Sequence, residues 1–212
     1  VRLVGSEMCI RDRLCSENPC TAGSEDFHYS VPYAFRKGFR TEKGQHMSEM
    51  VKVVVDAMGG DNAPMAPVEA AVRAVKELDV EIVLVGKKEV VEKELSAYDY
   101  PNDKISIANA DEVITNHEEP AKAVRSKKNA SVVVAANMLK KGEGDAMLSM
   151  GNTGALLASG LLIVGRIKGI LRPALATLLP SAKGPKMLID AGANTNCKPE
   201  NLVQFGIMGS IY

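Results

Sequence analysis

The sequence has no tryptophan, and Phe, Trp and Tyr together make up only 4% of its 212 residues. That composition argues against an aromatic platform for stacking nucleobases. Charge bias is also missing: Lys plus Arg and Asp plus Glu each number 26, for a net charge of zero. Bulk charge therefore gives no case for a nucleic-acid partner, and any anion site has to be local. Histidine is scarce, with only His28, His46 and His117, so neither a His-rich metal site nor any other metal site is expected. Cys9, Cys15 and Cys20 cluster near the start and Cys197 stands alone, which is not the paired spacing of a zinc site. The longest central apolar run, "ALLASGLLIVG", has about 11 residues, short of the roughly 20 that span a bilayer. It reads as a buried helix. No signal-peptide pattern opens the chain, and a reduced, cytoplasmic protein is the default expectation.

From residue 50 onward, a regular alternation is present. "VKVVVDAMGG", "VEIVLVG", "KISIANA", "DAMLSM", "ALATLLP" and "KMLIDAG" read as strands. Buried parallel strands have such near-continuous apolar runs. Between and after them, "APVEAAVRAVKEL", "KEVVEKELSAY", "EPAKAVRSKKNASVVVAANMLKKGEG", "TGALLASGLLIVGRI" and "KPENLVQFGIMGSIY" carry helical patterns. In the first of these helices Val68, Ala71, Val72, Val75 and Leu78 recur at helical spacing, and Gly142 and Gly144 mark a helix stop. The alternation predicts a three-layer α/β/α fold with a mainly parallel sheet. Ligands in such folds bind beyond the carboxyl ends of the strands.

Three loops fall at those ends. In "DAMGGDNAP", Gly59 and Gly60 let backbone approach a ligand, with Asp56 and Asp61 on either side; a tight strand-to-helix turn with an Asp cap is the equal alternative. In "SMGNTG", Ser149, Gly151, Asn152, Thr153 and Gly154 close a strand and open a helix. Free N–H groups there attract an anion, and the small side chains leave room for one. A simple Asn or Thr helix cap is the alternative. The spacing is neither that of a dinucleotide fingerprint nor that of a Walker loop. In "DAGANTNCKPE", Asp190, Gly192, Asn194 and Asn196 repeat the pattern. Together the three loops predict one shared cleft.

Two basic groups stand out, Arg125, Lys127 and Lys128 in "RSKK" and Arg166, Lys168 and Arg172 in "GRIKGILRP". Each is either a solvated helix end or a landing surface for an acidic partner. His117 reads as a surface loop residue sooner than a base. Cys197, beside a helix start, invites a lowered thiol pKa, but no His partner is evident.

At "VDAMGGDNAP", "SMGNTGALLASG", "GRIKGILRPALA" and "LIDAGANTNCKPENLVQFGIMG" the sequence resembles the bacterial phosphate acyltransferase family of phospholipid synthesis, over roughly residues 50–212. The resemblance implies acyl transfer from acyl-carrier protein to inorganic phosphate, giving acyl phosphate, with no cofactor. It also implies a homodimer, peripheral membrane association and delivery to a glycerol-3-phosphate acyltransferase. On that basis Asn152, Asn194 and Asp190 are the catalytic candidates. Asp56, Gly59, Gly60, Asp61, Ser149, Gly151, Thr153 and Gly154 are the candidates for holding phosphate and the acyl group, and the two basic groups are candidates for docking the carrier protein. The alternatives are a coenzyme A-dependent phosphate acetyltransferase-like enzyme and a non-catalytic phosphometabolite-binding module.

Residues 1–49 fall outside the resemblance and outside the periodic pattern. "LVGSEMCIRDR" looks like a translated sequencing adaptor, so this segment is expected to be an artefactual or disordered extension ahead of a start at Met47 or Met50. The chain stops at Tyr212 inside an apolar helix pattern. Residues 50–212 are accordingly expected to be the N-terminal part of a catalytic domain whose C-terminal part is missing.

Overall fold

The structure, a computed structural model, describes residues 4–5, 50–182, 186–192, 194 and 196–211. Apart from Val4–Gly5, the expectation about residues 1–49 lies outside the described residues.

The elements follow the predicted alternation. After a two-residue strand β1 (Val4–Gly5) come β2 (Val51–Asp56), α1 (Met65–Glu77), β3 (Val80–Gly86), α2 (Lys88–Leu95) and β4 (Ile105–Asn109). Next are α3 (Pro120–Ser126), α4 (Ser131–Lys141), β5 (Ala146–Leu148) and α5 (Thr153–Ser159), which runs on into a π-helical turn, Gly160–Val164. The last elements are β6 (Ala176–Leu179), β7 (Lys186–Ile189) and α6 (Pro199–Ile211).

The main sheet has the order β1-β5-β2-β3-β4, and every pair in it is parallel. Its strands are apolar on both faces because helices cover both. On one side Val54, Val83 and Val85 pack with Val124, Val133, Leu139 and Leu156 from α3, α4 and α5. On the other, Val55, Ile82 and Leu84 pack with Val68, Val72, Val75 and Val91 from α1 and α2. Side chains of this kind, fully buried, stabilise by about 1.5–3 kcal/mol each, and Val54, Leu84, Val85, Val68 and Val91 are at 0% exposure. The predicted stop after α4 is a left-handed cap: Gly142 has φ 80° and its N–H returns to the carbonyls of Leu139 and Met138.

The last two strands depart from expectation. β6 and β7 pair with each other, antiparallel, in a separate two-stranded sheet. Residues 180–185 alone connect them, and a parallel crossover needs a dozen or more residues. A hairpin is the arrangement that so short a link permits. α6 packs on β7, with Gly209 against Ile189. On its other side Leu202, Val203, Ile207 and Ile211 are exposed. No helix among the described residues is long and apolar enough to cross a membrane.

Candidate functional site

The first two loops meet at the carboxyl ends of β2 and β5, which are neighbours in the sheet. Asp56 ends β2 and is buried. Its Oδ1 accepts the Met58 N–H at 3.1 Å, which turns the chain back on itself. Its Oδ2 accepts the Ser149 hydroxyl at 2.8 Å from the end of β5. Ser149 Oγ in turn accepts the Gly151 N–H at 3.2 Å. A buried carboxylate is costly unless its lone pairs are taken up, and these donors supply that. The pair therefore ties the two loops together at their bases, with both Asp56 oxygens engaged in doing so.

Glycine makes this approach possible. A Cβ on Gly59 would lie 2.7 Å from Asp56 Oδ2 and 2.8 Å from Gly151 N. Gly60 has φ 101°, a conformation that favours glycine, and lies against the Met150 backbone.

Above that base, α5 opens. Asn152 is its cap, with Oδ1 accepting the Ala155 N–H at 2.9 Å. The Asn152 amide also donates to the Thr115 carbonyl at 3.0 Å. The helix-cap alternative therefore holds at Asn152. Among the described residues, no hydrogen bond takes the backbone N–H of Gly59, Gly60, Thr153 or Gly154. Unengaged amides beside an apolar helix start suit a small oxyanion. Asp61 is exposed and makes no described hydrogen bond to either loop.

Three residues absent from the sequence-based candidates, Thr115, Glu118 and Pro120, lie beside Asn152 and Gly154. Glu118 Oε1 accepts both the N–H (2.8 Å) and the Oγ1 hydroxyl (3.0 Å) of Thr115. Lys127 pairs with Glu118 Oε2 at 2.7 Å and donates to the Val113 carbonyl at 2.9 Å. Pro120, at the start of α3, lies so close to Gly154 that a Cβ there would sit 2.6 Å from the proline Cγ. The signal was present in the sequence: "TNHE" is the Thr-x-x-Glu pattern of a capping box. The Lys127 ammonium, first among several causes, holds the Glu118 carboxyl down to about 2 from the ordinary 4.5.

The third loop has its own set of hydrogen bonds. Asp190, at φ 64°, accepts the Asn194 amide on Oδ1 at 2.8 Å, and Asn194 also donates to the Pro173 carbonyl at 3.0 Å. Both Asn194 amide hydrogens are therefore engaged. Cys197 Sγ lies 3.4 Å from Asp190 Oδ2. None of the hydrogen bonds described for Asp190, Asn194 or Cys197 reaches Asp56–Pro64 or Ser149–Gly154. Among the described residues, the hydrogen bonds join the first two of the three loops, while the loop after β7 follows the separate hairpin. The lowered thiol pKa expected for Cys197 is also reversed: burial, then the neighbouring Asp190, push it up.

Of the basic residues, Arg125 and Lys128 are exposed and make no described ion pair, whereas Lys127 is tied to Glu118. Arg166 donates to the Leu171 carbonyl and Arg172 to that of Asn196 at 3.2 Å, while Lys168 is exposed. A hollow of about 430 Å³ lined by Ala108, Val134, Asn137, Met138, Lys141 and Glu143 contains none of these residues. No cluster of metal-ligating side chains occurs among the described residues.

A parallel α/β sheet with two glycine loops joined at adjacent strand ends defines an α/β protein of layered type. A family profile described as fatty acid synthesis protein matches residues 51–212, and the chain belongs to that family. It is 54% identical over 162 residues to a phosphate acyltransferase of Alkaliphilus oremlandii, a match covering 76% of this chain and 48% of that protein. Against the phosphate acyltransferase of Clostridioides difficile it is 52% identical over 163 residues, with the same coverage. The chain spans about half the length of the curated relatives it matches. Among solved structures, a phosphotransacetylase from Streptococcus pyogenes superposes with a TM-score of 0.55 at 18% identity, covering 76% of this chain and 53% of that one. That likeness concerns the fold.

Proposed function

We propose that this chain is the N-terminal part of a cytoplasmic enzyme that moves a fatty acyl group from acyl-carrier protein to inorganic phosphate. Phosphate oxygen attacks the thioester carbon, the carbon–sulfur bond breaks, and acyl phosphate and the free carrier thiol leave. Phosphate is itself the nucleophile, so the protein has to orient two substrates and stabilise the oxyanion of the tetrahedral intermediate. The amides of Gly59, Gly60, Thr153 and Gly154 form the cradle, and Asn152 presents its remaining amide hydrogen. Asp56 and Ser149 hold the cradle's two halves in register.

The observation that carries this assignment is the Asp56–Ser149 hydrogen bond, which brings two glycine loops together with their amides unengaged. Sequence identity above half to phosphate acyltransferases supports the choice of reaction. In the complete enzyme we place Asp190 and Asn194 in the same catalytic centre. The exposed apolar side of α6 is the surface on which the rest of the enzyme, or a second subunit, would pack. Homodimerisation, peripheral membrane contact and hand-over of acyl phosphate to a glycerol-3-phosphate acyltransferase complete the proposal.

The test is phosphate-dependent release of free carrier protein from a long-chain acyl thioester, using the chain extended to the length of its relatives. Release without phosphate, or equal rates with a coenzyme A thioester, would overturn the assignment.

A further inference from the structure

Glu118 occupies an unusual place. One carboxylate takes two hydrogen bonds from Thr115 and an ion pair from Lys127, nine residues further on. The side chains of Glu118 and Lys127 are 29% and 31% exposed, so the pair is partly shielded from water. Two shielded charges that close a turn cost desolvation, and a surface turn does not require them. The consequence of the turn lies one step further: its Thr115 carbonyl is the acceptor for the Asn152 amide. Asn152 in turn fixes Ala155 through its Oδ1. A continuous chain of hydrogen bonds therefore runs from Lys127 through Glu118 and Thr115 to the cap of α5. Pro120, two residues beyond Glu118, is packed against Gly154 and supports the same loop from the side.

We propose that Glu118 is a positioning residue: clamped by Lys127, it sets the Thr115 carbonyl that orients Asn152 and the loop Gly151–Gly154. This rests on the proposed phosphate site for its function, but its structural half stands separately. Glu118 is assigned no contact with substrate. It acts through Asn152, which removes Lys127 from the docking surface and gives it a role inside the rim. Asn152 without this acceptor loses the restraint on its amide plane, and its Oδ1 holds the Ala155 N–H less firmly. The amide is then free to rotate away from the ligand.

The experiment uses the 212-residue chain, isotopically labelled, with Glu118→Ala, Glu118→Gln, Asn152→Ala and the double variant Glu118→Ala/Asn152→Ala. Hydrogen exchange at Ala155 reports the cap, exchange at Val54 and Leu84 reports the fold, and titration with inorganic phosphate reports the site. Glu118→Ala should speed Ala155 exchange and weaken phosphate binding, each by about tenfold, with Val54 and Leu84 unchanged. In the Asn152→Ala background it should add nothing, because residues acting through one another are non-additive. Glu118→Gln keeps an acceptor for Thr115 but loses the charge for Lys127, and should fall between. Unchanged Ala155 exchange in Glu118→Ala, or an undiminished effect in the Asn152→Ala background, overturns the proposal. If Glu118→Ala loses core protection, Glu118→Gln decides by the same readouts. Should the unmodified chain show no response to phosphate, Ala155 exchange alone judges Glu118, and the acyltransferase assignment is judged separately by thioester turnover in the extended enzyme.

Discussion

Ser149 Oγ donates to Asp56 Oδ2 at 2.8 Å across 93 positions of sequence, and both residues are 3% exposed. Their strands are hydrogen-bonded neighbours, so the bond extends the β2–β5 ladder beyond its last backbone pair. Removing the hydroxyl leaves a buried carboxylate oxygen without its donor, which costs about 1–3 kcal/mol. Ser149→Ala is expected to lower the urea midpoint accordingly with an unchanged slope, while Ser149→Thr keeps the donor and most of the stability. Equal midpoints for Ser149→Ala and the parent chain would show that the pair does not brace the loops.

Gly59→Ala attacks the same contact from the other side. The added methyl would lie 2.8 Å from the Gly151 backbone nitrogen as well as against Asp56, and backbone cannot swing away as a flexible side chain can. Overpacking of this kind costs about 1–3 kcal/mol. The loops should separate, so phosphate affinity falls more than stability does. A phosphate titration and a denaturation curve on the same variant check this. Gly206→Ala, in α6 with nothing within 4 Å of the added atom, is the control without a clash: it should leave phosphate affinity unchanged and raise stability by up to about 1 kcal/mol.

Acid should act through Glu118. Its folded-state pKa is lowered to about 2 from 4.5. A depressed carboxyl contributes stability that is present in full above the unfolded value and is lost as pH falls through the folded one. The contribution is therefore constant from neutral pH down to about 5 and fades between roughly pH 4.5 and 2. Glu118→Gln has no such titration. The gap in stability between the two proteins should stay level above pH 5 and close below it, as read from thermal midpoints across that range. A gap that widens on acidification would contradict the pairing with Lys127.

Cys197 gives a test of the opposite sign. Burial and the Asp190 carboxylate raise its thiol pKa, so at neutral pH it should be alkylated more slowly than a free thiol. Asp190→Asn removes the nearby negative charge and a hydrogen-bond partner, and should shift the pH–rate curve for Cys197 downward. Mass spectrometry resolved by site separates it from the cysteines near the start of the chain. No shift in that curve would mean that Asp190 does not govern the thiol.

Much of this was legible in the residues. The apolar strand runs and the 3.6-residue periodicity of "APVEAAVRAVKEL" located every described strand and helix after residue 50, because burial on both faces of the sheet dictates those patterns. The two glycine loops were legible for the same reason that they meet: close backbone approach excludes side chains. What escaped was long-range. Nothing local in "KMLIDAG" tells a parallel strand from a hairpin partner, and the decisive quantity was the short link at residues 180–185. Nor does periodicity show that Thr115 faces Asn152, since 37 positions separate them. The Thr-x-x-Glu pattern at Thr115–Glu118 offered a local hint, but only its partner gives it meaning.

The basic residues divide on the same principle, and this yields the last prediction. Arg125 and Lys128 flank Lys127 but, unlike it, are exposed and make no described ion pair. Rim charges of this kind steer an acidic partner and act mainly on encounter, in a salt-dependent way. In the extended enzyme, Arg125→Glu/Lys128→Glu should raise KM for acyl-carrier protein about five- to tenfold at low salt with kcat held, and the effect should shrink as salt screens the surface. Lys127→Glu should behave differently. It places two carboxylates together at Glu118, opens the Thr115 turn, and so lowers kcat and weakens phosphate binding at any salt concentration. The contrast is the informative result, because a simple basic patch would make all three positions equivalent. Parallel salt-dependent losses at Arg125, Lys127 and Lys128 would return Lys127 to the docking surface and leave the rim without its clamp.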